Sequence, residues 1–129
     1  MLLTLELESE KPLYVQIRDQ VIEGLANGKL QPGESLPSTR QLAMDFGINF
    51  HTVNKAYDML RQEGVLRLNR KSGAVVSISP ISDAFTVEWE SRLRTLLAEA
   101  FVKGVLKPQI SQHCIDIIAS FDEKRACSS

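Results

Sequence analysis

A mainly α-helical fold with one small β-hairpin is predicted by three features of the sequence. Two amphipathic helical stripes, one ending at Phe46 and one beginning near Asn49, are separated by a short turn built on Gly47. Two β-rich runs then flank a polar tip, Asn69-Arg70-Lys71-Ser72-Gly73. Two further apolar stripes follow the short linker Ser79-Pro80-Ile81-Ser82. The first two features, with one helix before them, describe a winged helix-turn-helix over residues 1–79, and the third a two-helix segment over residues 80–129.

Each element has its own local cause. Leu3, Leu5 and Leu7 alternate with Thr4, Glu6 and Glu8, a period of two that predicts a short, half-buried strand. Pro12 suits the first turn of a helix, where its missing N–H costs nothing. Leu13, Ile17, Val21 and Leu25 recur every four residues down to a stop at Asn27-Gly28. Pro32-Gly33 marks a turn, with Leu30 and Leu36 expected to fold back onto the core. Ser38 and Gln41 fit a capping box, hydroxyl to amide one way and side-chain amide back the other. Leu42, Ala43 and Phe46 form the buried face of the second helix, and Gly47 its left-handed cap.

The third helix is expected to start at an Asn49 cap. Val53, Ala56, Tyr57 and Leu60 give it a clean buried stripe before Gly64 closes it. In the tail, Phe85, Trp89, Leu93, Leu96, Leu97, Ala100 and Phe101 form one stripe, which Gly104 and Pro108 break. Ile110, Cys114, Ile117, Ile118 and Phe121 form the next. Two short helices make too small a core to bury both stripes. The unburied remainder is expected to pack on the winged helix or on a second copy of the chain, and the preferred reading is the second, a dimerisation segment. Glu123-Lys124-Arg125-Ala126-Cys127-Ser128-Ser129 reads as a frayed tail.

Composition narrows the function. With 43% hydrophobic and 24% charged residues the chain is a folded one, and its net charge of −1 gives no overall sign of a polyanion partner. The distribution does. Between residues 38 and 73, Arg40, Lys55, Arg61, Arg67, Arg70 and Lys71 outnumber Asp45, Asp58 and Glu63. A local basic face is what phosphate binding needs. Cys114 and Cys127, with no secretory signal at the N-terminus, predict reduced thiols and a cytoplasmic protein. No apolar run approaches membrane-spanning length. No nucleophile, phosphate-cradling glycine loop or metal-ligand spacing stands out, so neither enzyme chemistry nor a cofactor or metal is expected. His113 and Cys114 are adjacent and diverge on a helix, with Cys114 on the apolar stripe.

Four motifs, "PLYVQI", "GKLQPGESLPSTRQLA", "TVNKAYDMLRQEG" and the hairpin behind them, occur in an order that resembles the winged-helix domain of the GntR family of transcriptional regulators. The resemblance covers residues 10–79, and the short two-helix tail is similar to the YtrA-like subfamily. It implies a dimeric DNA-binding regulator, often a repressor of its own operon and often encoded beside ABC-transporter genes. It also implies DNA contact by Arg40, which matches the arginine of the family's "PSxR" motif. Phe50-His51 and Asn54 depart from the residues usual in the family, so the resemblance does not carry over an operator. The family wing often reads Gly-x-Gly, of which only Gly73 remains here.

In helix-turn-helix proteins the amino end of the second helix of the pair meets base edges in the major groove. Asn49, His51, Thr52 and Asn54 can donate or accept there, and an amide side chain can pair with adenine through two bonds. Asn49 and Thr52 also have purely local uses, as a cap and as cover for a backbone amide. Phe50 either staples onto the fold or meets a thymine methyl. Lys55 lies off the buried stripe and reaches either phosphate or solvent. Arg40 sits in the first turn of a helix, where a cation opposes the dipole unless an anion is present. Ser38 and Thr39 can add hydroxyl bonds to phosphate. Arg70, Lys71 and Gly73 at the wing can follow the backbone or enter the minor groove, or the charged tip is simply solvated.

The expected partners are double-stranded DNA and a second copy of the chain, bound as a repressor on a pseudo-palindromic operator. The alternative is a winged-helix protein-interaction module. Salt distinguishes them, because only phosphate binding releases counterions. The tail is too small for a dedicated metabolite pocket. A small-molecule effector, if the chain has one, would act at the dimer interface by changing the spacing of the two heads.

Overall fold

The computed structural model describes residues 3–71 and 73–121. Five helices and one hairpin follow in the order α1 (Leu13–Ala26), α2 (Thr39–Phe46), α3 (Phe50–Gln62), β1 (Leu66–Asn69), β2 (Gly73–Val76), α4 (Asp83–Val102) and α5 (Lys107–Ala119). They divide into two compact units, Met1–Ser79 and Pro80–Ser129. No helix among the described residues is long and apolar enough to cross a membrane. The predicted fold class, mainly α with a small hairpin in a winged helix-turn-helix, is the one observed.

The core of the first unit is the set of stripes read from the sequence. Ile17, Val21 and Leu25 of α1 meet Leu42 and Ala43 of α2 and Val53, Ala56, Tyr57 and Leu60 of α3. Leu30 and Leu36 fold back into it, as do Leu66, Ala74 and Val76 of the hairpin. The strands are antiparallel, with Leu66 opposite Val76 and Asn69 opposite Gly73. The tip is therefore shorter than the five residues expected, because its two ends are ladder positions. The segment before α2 lies along the other edge of β2: Leu36 N–H donates to the Ala74 carbonyl at 2.8 Å and Val76 N–H to the Glu34 carbonyl at 2.9 Å. This covers an edge that would otherwise be open to pairing with another chain.

Three expectations need correction. Residues 3–7 form no strand. Thr4 exchanges two hydrogen bonds with the Gln20 amide (2.8 and 2.6 Å), and Glu6 exchanges two with the Gln16 amide (2.9 and 3.0 Å). The extended backbone thus finds side-chain partners on α1 in place of a neighbouring strand. Only half of the capping box forms: Ser38 Oγ accepts from Gln41 N–H at 3.0 Å, while the Gln41 amide donates to Asp45 Oδ1 at 2.7 Å. The charged acceptor one turn ahead wins over the backbone behind. Pro108 breaks nothing; it stands in the first turn of α5, where its missing N–H is harmless. The frayed tail expected at 123–129 lies outside the described residues.

An ion network ties α1 to the carboxyl end of α3. Arg18 reaches both carboxylate oxygens of Glu63, at 3.2 and 3.0 Å from Nε, and also bonds Asp19. Lys11 closes on Asp19 from the other side. Burial alone would push the Asp19 carboxyl up, but the bonds from Lys11 and Arg18 outweigh it and hold the group below its ordinary range.

In the second unit, α4 is capped by Ser82, whose Oγ accepts from Phe85 N–H at 3.1 Å. It ends with Val105 N–H donating back to the Ala100 carbonyl at 3.0 Å. α4 packs on α5. Leu93, Leu97, Ala100, Ile110 and Cys114 are half-buried. Phe85, Trp89, Leu96, Phe101, Ile117, Ile118 and Phe121 stay exposed, and no residue of either helix is fully buried.

Candidate nucleic-acid interface

The site is built on the turn between α2 and α3. Gly47 takes a left-handed φ of 62°, which lets Ile48 N–H reach back to the Ala43 carbonyl at 3.0 Å and ends α2 sharply. Asn49 then starts α3, its Oδ1 accepting from His51 N–H at 2.8 Å. Its local role as a cap is real, and it remains exposed.

Because Val53, Ala56, Tyr57 and Leu60 take the buried side of α3, His51, Asn54 and Lys55 are left on the outer side. Thr39 of α2, the α3 residues His51, Asn54, Lys55, Tyr57 and Asp58, and Leu68 of β1 line one shallow open groove. The cation and the two polar side chains of α3 are thus brought together with the second position of the α2 entrance and with the wing strand. Asp58, the acid in this groove, is paired with Arg61 one turn on.

Four contacts fix side chains that the sequence leaves open. Phe50 is half-buried and packs against the core cluster, so it does staple onto the fold. The Arg40 guanidinium lies over its ring, 4.9 Å from the centroid, and the His51 ring stands 4.6 Å from it at a 43° tilt. Lys55 Nζ lies 4.0 Å from the centre of the Tyr14 ring of α1, a cation–π contact. Ser38 is the α2 cap and is exposed; Thr39 and Thr52 are half-buried. Arg70 and Lys71 project from the hairpin tip, where Asn69 Oδ1 accepts from Lys71 N–H at 2.9 Å, and Gly73 pairs with Asn69 across the ladder.

Sequence reasoning missed two residues. The stripe of α3 marks Tyr57 as core alone, but its hydroxyl donates to the Pro37 carbonyl at 2.7 Å. That bond holds the entrance of α2 against α3, and burial pushes the phenol well above its ordinary range, so it stays a donor. Leu68 is 61% exposed on the wing strand facing the groove. Its period of two with Leu66 hid the fact that the core ends between them.

Among the described residues no cluster of His, Cys, Asp and Glu could hold a metal ion. An exposed helix terminus with free polar side chains, a stacked arginine and a basic hairpin tip is an arrangement for a polyanion with readable edges.

Comparison with known proteins agrees. Residues 13–76 match the model of the bacterial regulatory proteins, gntR family. The HTH-type transcriptional repressor YtrA of Bacillus subtilis is 33% identical over 100 residues, covering 75% of this chain and 77% of that protein. The structure of YtrA from Sulfolobus acidocaldarius, a GntR-family transcription factor, is 36% identical with a TM-score of 0.56, covering 91% of this chain and 97% of that one. The DNA-binding domain of AraR in complex with operator ORX1 is 28% identical with a TM-score of 0.50, covering 58% and 93%. These relatives and structural neighbours are DNA-binding regulators and not enzymes. The chain belongs to the GntR family of bacterial transcriptional regulators, in its YtrA-like branch.

Proposed function

We propose that the chain is a cytoplasmic repressor that binds a pseudo-palindromic operator as a homodimer, one winged helix to each half-site. What carries this reading is the amino end of α3: His51 and Asn54 are exposed on its outer side, with Arg40 stacked beside them on Phe50. The relative named YtrA is a repressor, and AraR meets operator DNA through a domain of this fold. In the proposed complex α3 enters the major groove, with His51 and Asn54 reading base edges and Asn49 and Thr52 beside them. Arg40, Ser38, Thr39 and Lys55 hold phosphate, and Arg70, Lys71 and Gly73 follow the backbone from the wing. The resemblance to YtrA-like regulators points to a transporter operon as the target.

Selection of bound duplexes from a random pool tests this. An inverted repeat with fixed half-site spacing is expected. On that duplex, Arg40→Ala should weaken binding by about 1–3 kcal/mol and reduce the slope of affinity against salt by about one. His51→Ala and Asn54→Ala should change which sequence the selection returns. If none of the three altered affinity or preference, the groove assignment would be wrong. A complex indifferent to salt would favour the protein-interaction module.

A further inference from the structure

Phe50 opens α3 without a polar atom, beside His51 and Asn54, which are exposed on the outer side of the helix. Its ring is half sunk into the core cluster. A ring anchored in this way has little rotamer freedom. Arg40, by contrast, is a long exposed side chain with many rotamers, set in the first turn of α2, where the helix dipole opposes its charge. Among the described residues no carboxylate pairs with it. Among the described residues its tether is the face of Phe50, whose ring centre lies 4.9 Å from its Cζ. A cation held by a neutral aromatic platform keeps its charge for an incoming anion, which an ion pair would not allow.

We propose that Phe50 is a positioning residue for DNA binding: its ring presets the Arg40 guanidinium at the amino end of α3 and reads no base itself. The platform joins the two helices of the motif, since Arg40 belongs to α2 and Phe50 to α3. DNA then meets an arginine whose ordering has already occurred, and the affinity gained is the rotamer entropy not lost on binding. This rests on the reading of the α2–α3 face as the DNA-binding one.

The test is a double-mutant cycle on the full chain, with the duplex returned by the selection. Phe50→Leu, which keeps an apolar anchor and removes the ring, should weaken binding about two- to fivefold, the range an exposed cation–π contact supports. In an Arg40→Ala background the same change should cost nothing further. Phe50→Tyr should bind like the parent. In the free protein, the Arg40 δ-methylene proton resonances should be shifted upfield by the ring and should return to ordinary values in Phe50→Leu.

Additive losses in the cycle would overturn the proposal, because Phe50 would then act on DNA or on the fold without Arg40. Full affinity in Phe50→Leu would overturn it while leaving the groove reading intact. Unshifted Arg40 protons in the parent would do so even if Phe50→Leu failed to fold. An Arg40→Ala protein with full affinity would overturn the platform, and only if His51→Ala and Asn54→Ala were silent as well would the groove reading fall with it.

Discussion

Gln16 and Gln20, four residues apart on α1, do with side chains what a neighbouring strand does with its backbone. Each amide offers one acceptor and one donor on the same side, and each meets the N–H and C=O of a single residue two positions apart in the segment before the helix. Gln16 adds a third bond, to the Lys11 carbonyl at 2.8 Å, and is 7% exposed. A buried amide with all these partners satisfied is stabilising; the same partners left alone are costly. Gln16→Ala should therefore lower the stability of the first unit by about 1–3 kcal/mol in urea unfolding followed by circular dichroism. Gln16→Glu should cost more at neutral pH, because a carboxylate has no proton to give and would face two carbonyl oxygens. A Gln16→Ala protein as stable as the parent would mean that Leu3 and Leu5 alone hold the segment. The alternation of those leucines does announce an extended chain with one buried side. It does not announce the partner, since a glutamine inside an amphipathic helix looks like any solvated position until the amide is seen facing inward.

At the scale of elements, the helix ends were the most legible feature, because glycine is the residue that a left-handed cap demands. Two of these caps are alike in backbone and different in surroundings. Gly47 has φ 62° with nothing within 4 Å of an added Cβ, whereas at Gly64 (φ 78°) that Cβ would lie 2.9 Å from both Cβ and Oγ of Ser79. Any L-residue with a side chain at such a φ costs about 1–2 kcal/mol, so Gly47→Ala should lose about that much. Gly64→Ala should lose about 1–3 kcal/mol more, the cost of overpacking. Denaturant melts of the two variants would compare them, and Ser79→Gly added to Gly64→Ala should recover the excess. Equal losses at the two glycines would show that the contact with Ser79 carries no energy. The features that were not legible at this scale share a cause. The pairing of residues 34–36 with β2 involves a single bridged residue, Ser35 with Val75, too short for any period to reveal. The Gln41 amide had two plausible partners, and only the placement of Asp45 decides between them.

At the scale of the molecule, the composition of the interface was readable and its geometry was not. Once the buried stripe of α3 is recognised, the exposure of His51 and Asn54 follows from the helical period. The stacking of Arg40 on Phe50 does not, because the two lie ten positions apart with a left-handed turn between them. The tail poses the remaining question of assembly. In α4 Trp89 is 46% exposed, Leu96 61% and Phe101 57%, and in α5 Ile118 is 66% exposed. Stripes this apolar, left open on both helices of one unit, exceed what a lone soluble chain ordinarily shows to water. A second copy offers the same stripe, and a two-fold interface is self-complementary by construction. The full chain is therefore expected to sediment as a dimer, and Leu96→Asp, a charge in the middle of the stripe, as a monomer. Val87→Asp serves as the control, since Val87 is 70% exposed but lies off the stripe. The consequence for DNA is larger than the mutation's local energy. Loss of the second head removes the effective concentration that links two half-site contacts, a factor of about 100 or more in affinity for the whole operator. Binding to an isolated half-site should be unchanged, because α2, α3 and the hairpin are untouched. Analytical ultracentrifugation and titrations of whole and half operators together check this. A dimeric Leu96→Asp protein with full operator affinity would remove the stripe from the interface.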